Sequence, residues 1–190
     1  LAIPSFQLLT AQFDPPEEPA LTVKAVGYQW YWGYEYQTEN ELSFDSNMLS
    51  EDEEERSDLG KTDRGEYPRL LAVDNEMVVP VNKVVRLLVT ADPDGVLHAY
   101  ALPAFGVKID AVPGRNNETW FKAEKEGLYY GQCSEICGVR HAFMPLAVRV
   151  VSEDQYNAWV ASAGDDLEAA NENLMASIAE ENKKTQVAQK

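Results

Sequence analysis

Apolar and polar positions alternate with period two through most of this chain, and that alternation predicts strands. Leu21, Val23 and Ala25 fall on one side, Thr22 and Lys24 on the other. The pattern runs into YQWYWGYEY, residues 28–36, with six aromatics in nine positions. Tyr28, Trp30, Trp32, Tyr34 and Tyr36 share one parity, so a continuous strand would place them on one face. Further strand-like runs lie at 70–73, 77–81, 84–90, 96–102, 107–109, 119–123, 128–131 and 146–151, with Pro and Gly between them. Many short strands with regular turns predict a mainly β fold, a Greek-key β-sandwich.

After Val151 the period changes. Ser152 with Gln155 three residues on reads as a capping box. Tyr156, Trp159 and Val160 make a short helical face that should end at Gly164. Leu167, Ala170, Leu174 and Ile178 repeat at helical spacing. Residues 152–190 are therefore expected to form a C-terminal helical extension, frayed over KKTQVAQK. Residues 1–20 read as a linker, because FDPPEEP can neither continue a helix nor enter a sheet interior. Residues 50–66, SEDEEERSDLGKTDRGE, carry no apolar period and read as an exposed loop whose acidic run at 51–58 is solvated. The organisation expected is 1–20, a β domain at 21–151, and 152–190.

Charge narrows the partners. Acidic residues number 32 against 16 basic, for a net charge of -16. That balance argues against nucleic acid and can steer a basic partner onto an acidic face. No apolar run approaches the ~18 residues of a membrane span. LAIPSFQLLT lacks the basic region and cleavage pattern of a signal peptide. Its first residue is not Met, so the chain is expected to be processed or a piece of something longer.

Candidate chemistry is concentrated in QCSEICGVRHAFM, residues 132–144. It holds both cysteines, Cys133 and Cys137, one of the two histidines, His141, and Met144; the other histidine is His98. Thiolate, imidazole and thioether form a soft ligand set, suited to copper and in other geometries to zinc or iron–sulfur. Zinc would leave the Met idle, and iron–sulfur clusters generally require more thiolates. Copper alone uses every residue. His98, Cys137, His141 and Met144 would suffice for one blue-copper ion, which makes Cys133 surplus. Two thiolates can instead bridge two copper ions, each with one terminal imidazole, leaving weak axial positions for the Met sulfur and a backbone carbonyl. Such a pair, with no open position for a substrate, reads as an electron relay.

CSEICGVRHAFM closely resembles the copper A loop of subunit II of haem–copper cytochrome c oxidases. VLHAYALPAFGVKIDAVPGR, residues 96–115, resembles the segment carrying that family's upstream His, and YQWYWGYEY its aromatic stretch. The resemblance implies a cupredoxin-like fold with Cys133 and Cys137 as bridging ligands, His98 and His141 as terminal ones, and Met144 and the Glu135 carbonyl as axial ones. It also implies that the Glu135 carboxylate ligates Mg2+ (or Mn2+) at a boundary with subunit I. Trp30, with Tyr31 beside it, would receive electrons from cytochrome c, and Glu35 and Asp110 would help to dock that basic partner. IPSFQLLT resembles the segment after a second transmembrane helix, which implies a missing N-terminal hairpin and a membrane complex. The domain would face the periplasm or, in a mitochondrial inner membrane, the intermembrane space. The chain departs from the family in having Tyr28 where His is common, Tyr100 where Trp is common, and a longer turn before His98.

Overall fold

The computed structural model describes residues 1–38 and 41–188. Two five-stranded sheets pack face to face. The first contains β1 (Leu21–Tyr28), β2 (Tyr31–Tyr36), β3 (Leu42–Ser46), β5 (Val84–Ala91) and β8 (Asn117–Lys122), in the order β3-β2-β1-β5-β8. The second contains β4 (Met77–Pro80), β6 (His98–Leu102), β7 (Val107–Ala111), β9 (Gly127–Cys133) and β10 (Pro145–Val151), in the order β4-β10-β9-β6-β7. β1 runs parallel to β5 and β10 parallel to β4; the other pairs are antiparallel. The mainly β, cupredoxin-like sandwich is as expected.

The alternation is what builds the core. Val23, Ala25, Trp32, Tyr34, Leu87 and Val89 from one sheet meet Tyr100, Leu102, Leu146 and Val148 from the other, all fully buried. At about 25 cal/mol per Å2 of apolar area, such burial is the main favourable term in folding.

Helices flank the sandwich. α3 (Glu153–Ala163) starts with the expected capping box of Ser152 and Gln155 and has Gly164 as its C-cap. It lays Trp159 against Tyr36, ring centroids 5.4 Å apart. α4 (Leu167–Ala188) packs on α3, and the Trp159 indole donates to Asn171 Oδ1 at 2.9 Å. α4 continues through most of the tail expected to fray; Gln189 and Lys190 lie outside the described residues.

Four local expectations are corrected. Residues 28–36 are not one strand: the chain reverses at Gln29 and Trp30, so Trp32, Tyr34 and Tyr36 share the buried face while Tyr28 and Trp30 do not. Residues 70–73 are turn, with a single bridge from Val73 to Met48, and the first sheet's edge is instead β3, whose LSFDS is too short to show a clear alternation. The N-terminal stretch read as linker is helical over α1 (Ala2–Phe13), since its prolines at 15 and 16 come only after the helix. In residues 50–66 the acids of the 51–58 run are exposed, as expected, but the segment is not a plain loop: it is ordered around buried Arg56 and Lys61. Asp52 caps α2 (Glu53–Asp58), and Arg56, fully buried, donates to Ser50 O at 2.8 Å, Tyr67 O at 3.1 Å and Lys61 O at 3.2 Å.

A candidate metal centre

β6, β9 and β10 bring the candidate ligands to one end of the second sheet. His98 opens β6 and Cys133 closes β9, where it pairs across from Tyr100. The loop after Cys133 leaves and returns under backbone control. Ser134 N donates to Ala99 O at 3.0 Å, and Cys133 N donates to Met144 O at 3.1 Å just before β10. Within it, His141 N donates to Gly138 O at 3.1 Å, starting the helical turn at His141–Phe143. Gly138 has φ of 117°, a conformation that favours glycine.

These constraints converge six donor atoms. The Cys133 and Cys137 sulfurs lie 3.9 Å apart. His98 Nδ1 is 3.7 Å from Cys133 Sγ, and His141 Nδ1 is 3.5 Å from Cys137 Sγ. Met144 Sδ is 4.0 Å from Cys137 Sγ, and the Glu135 carbonyl is 3.4 Å from Cys133 Sγ. The ligating atoms of His98, Cys133 and Cys137 all lie within 4.8 Å of one another. His98, Cys133, Cys137 and Met144 are buried; His141 is half-buried.

The arrangement fits a metal better than it fits apolar packing. A sulfur separation of 3.9 Å is nearly twice the ~2.05 Å of a disulfide, and both thiols are free. Burial and the adjacent Cys133 push the Cys137 thiol up to about 12. Burial, with His141 nearby, holds His98 below the ordinary histidine range and so favours its neutral, ligating form. Two buried sulfurs and two imidazole nitrogens face one another at 3.5–3.9 Å, a cluster of donors that one or two cations could bridge. The mixed sulfur, nitrogen and thioether set is of the soft kind that suits copper.

The other expected residues fall around this point. The Trp30 indole N–H donates to Cys137 O at 3.0 Å. Gln29 Nε2 reaches the same carbonyl at 3.4 Å, a contact that spacing in the chain does not signal. Tyr31 stacks on Tyr28, centroids 4.8 Å apart. The Glu135 side chain is partly exposed, flanked by Ile136, 74% exposed. Glu35 is ion-paired to Lys24 at 3.0 Å, whereas Asp110 is exposed on β7.

The family model for the periplasmic domain of cytochrome c oxidase subunit II matches residues 21–151. A probable cytochrome c oxidase subunit 2 of Rickettsia bellii is 51% identical over 162 residues, covering 85% of this chain and 56% of that protein. Cytochrome c oxidase subunit 2 of Metridium senile is 49% identical over 169 residues, covering 87% and 63% respectively. The chain thus spans less than two thirds of the length of these relatives. The solved periplasmic domain of subunit II (CoxB) of Bradyrhizobium japonicum is 55% identical, with a TM-score of 0.66 over 77% of this chain and 95% of that one. A solved mixed-disulfide intermediate between a thioredoxin-like protein and a cytochrome c oxidase subunit II is 54% identical with a TM-score of 0.63, covering 78% of this chain and 93% of that one. Among the described residues no helix is long and apolar enough to cross a membrane. On the family match and these identities, the chain belongs to the cytochrome c oxidase subunit II family.

Proposed function

We propose that this chain relays electrons from cytochrome c to haem in subunit I of a cytochrome c oxidase, where O2 is reduced. The relay would use a binuclear copper A centre held by His98, Cys133, Cys137, His141, Met144 and the Glu135 carbonyl. The observation that supports it is the convergence of these donors on two free thiols 3.9 Å apart. Two copper ions bound there would supply one-electron transfer with little change of geometry. The chain's own part is to hold the sulfurs and imidazoles in place beforehand, give up the thiol protons on loading, and keep bulk water from the sulfurs.

Trp30 is the proposed point where electrons come in, with Tyr31 beside it. Its indole is partly exposed and bonded to the backbone of Cys137. The Glu135 carboxylate would bind Mg2+ (or Mn2+) together with groups of subunit I, on a face where Ile136 and Val139 stand exposed. Asp110 and Glu35 would face cytochrome c. The place of the domain is a membrane complex, on its periplasmic side; the likeness to both bacterial and animal relatives keeps the mitochondrial intermembrane space as the alternative. A relative has been captured as a mixed disulfide with a thioredoxin-like protein. By the same chemistry, an oxidised Cys133–Cys137 pair here would be reduced by a dithiol partner before copper is loaded: one partner thiolate forms a mixed disulfide with one sulfur while the other leaves as a thiol, and the partner's second thiol then releases the bound sulfur as a thiol and leaves the partner as a disulfide.

Copper analysis with EPR tests the reading. The loaded chain should hold two coppers sharing one unpaired electron, and Cys133→Ser should lose that signature. An unchanged optical and EPR spectrum in Cys133→Ser would sink the assignment.

A further inference from the structure

β1 and β2 carry none of the candidate ligands, yet both halves of the site rest on their hairpin. Gly27 and Trp32 are paired across it, and the His98 imidazole lies over Gly27. A Cβ added to Gly27 would stand 2.9 Å from His98 Cδ2, 3.0 Å from Cγ and 3.2 Å from Cβ. Because the close approach extends to Cγ and Cβ, rotating the ring alone does not relieve it, and His98 as a whole must give by a few tenths of an ångström. The backbone does not itself require glycine, since Gly27 is absent from the positive-φ residues and sits in regular pairing on both sides. A glycine inside a strand weakens it and marks a close approach; here what approaches is the imidazole. Trp32 bounds the ring from another direction, edge-on at 6.0 Å between centroids and 62° between planes. Trp32 is held in turn by Tyr100 at 5.1 Å, the cross-strand partner of Cys133.

We propose that Gly27 is a positioning residue for the metal centre. Its missing side chain is the shelf on which His98 lies, and Trp32 is the wall that stops the ring from turning, so that Nδ1 faces Cys133. The inference rests on His98 being a ligand. Gly27 touches no donor atom except through that ring.

The test uses the 190-residue chain with G27A, the double variant G27A/H98A, H98A alone, and V26A as a control on the opposite face of the same strand. NMR of the metal-free chain reads the imidazole directly. G27A should move the His98 ring resonances and leave those of His141 in place, while V26A should move neither. After copper loading, G27A should lose the hyperfine pattern of an electron shared by two coppers, and V26A should keep it. Melting temperature should fall in G27A, and that loss should vanish when His98 is also replaced by Ala. If G27A fails to fold, recovery of folding in G27A/H98A supports the proposal. Failure of the double variant where H98A alone folds overturns it. Unmoved His98 resonances in G27A overturn it too, and so does an unchanged copper signature. Because the NMR and melting measurements need no copper, they also separate failure of this proposal from failure of the electron-relay reading.

Discussion

Trp30 joins solvent to the metal loop by one hydrogen bond, 3.0 Å from its indole N–H to the Cys137 carbonyl. Trp30→Phe keeps an aromatic ring and deletes the donor. Its stability cost should be about 1 kcal/mol, the net worth of such a bond. Reduction by ferrocytochrome c in stopped flow should slow by about tenfold, equal to about 1.4 kcal/mol of barrier, with the copper spectrum unchanged. Met144 separates a ligand role from a packing role. It is buried, with Sδ 4.0 Å from Cys137 Sγ. Met144→Leu preserves volume and should cost less than about 1.5 kcal/mol of stability. Removing a donor destabilises the more highly charged oxidised metal, so the reduction potential measured by titration should rise. The candidate donors were legible because five of the six sit in one loop, where the spacing of Cys133, Cys137, His141 and Met144 alone shows the excess of soft ligands. Gly27 and Gln29 were not, because their roles exist only after β1 and β2 fold against β6 and the loop.

Among the elements, the segment from Ser50 to Glu76 departs furthest from its sequence pattern. Its charges look solvated when read singly, but Lys61, Glu76 and Arg149 are buried together. Lys61 Nζ donates to Glu76 Oε1 and to Asp74 O at 2.8 Å each, and Arg149 of β10 binds the other Glu76 oxygen. Burial alone would raise the Glu76 carboxyl, but Lys61 and Arg149 outweigh it and hold the group below its ordinary value of 4.5. The contribution to stability is therefore full above about pH 4.5 and is lost as pH falls through the lower folded value. Glu76→Gln should cost about 3–5 kcal/mol at neutral pH, since it leaves buried Lys61 without its carboxylate partner and Arg149 with only the more exposed Glu66 at 3.2 Å, and should flatten the acid limb of stability. Urea denaturation across that pH range checks both. Period-two and helical patterns predicted most strands and both C-terminal helices, because those elements bury one face. The α2 segment has no such face; its order comes from polar contacts that buried Arg56 and Lys61 make at irregular spacings of 5 to 15 residues, which periodicity does not register.

For the molecule as a whole, the net charge of -16 is the property a docking partner meets first. Summed over the surface, it should speed association with a basic cytochrome c, and salt should remove that advantage as the Debye length shrinks to about 8 Å near 0.15 M. The association rate in stopped flow should therefore fall by about tenfold or more between low and physiological ionic strength. The two candidate docking acids should not share the effect equally. Glu35 already spends its carboxylate on Lys24, both of its oxygens lying within 3.1 Å of the ammonium. A partner's lysine must compete with that contact, and surface pairs of this kind are worth about 0–1 kcal/mol. Asp110 is exposed, and its backbone carbonyl, held by Asn117 Nδ2 at 2.6 Å, fixes the strand that presents it. Asp110→Asn should slow association more than Glu35→Gln, and the difference should disappear at high salt. Equal effects at low salt would mean that the partner reads total charge and neither acid in particular.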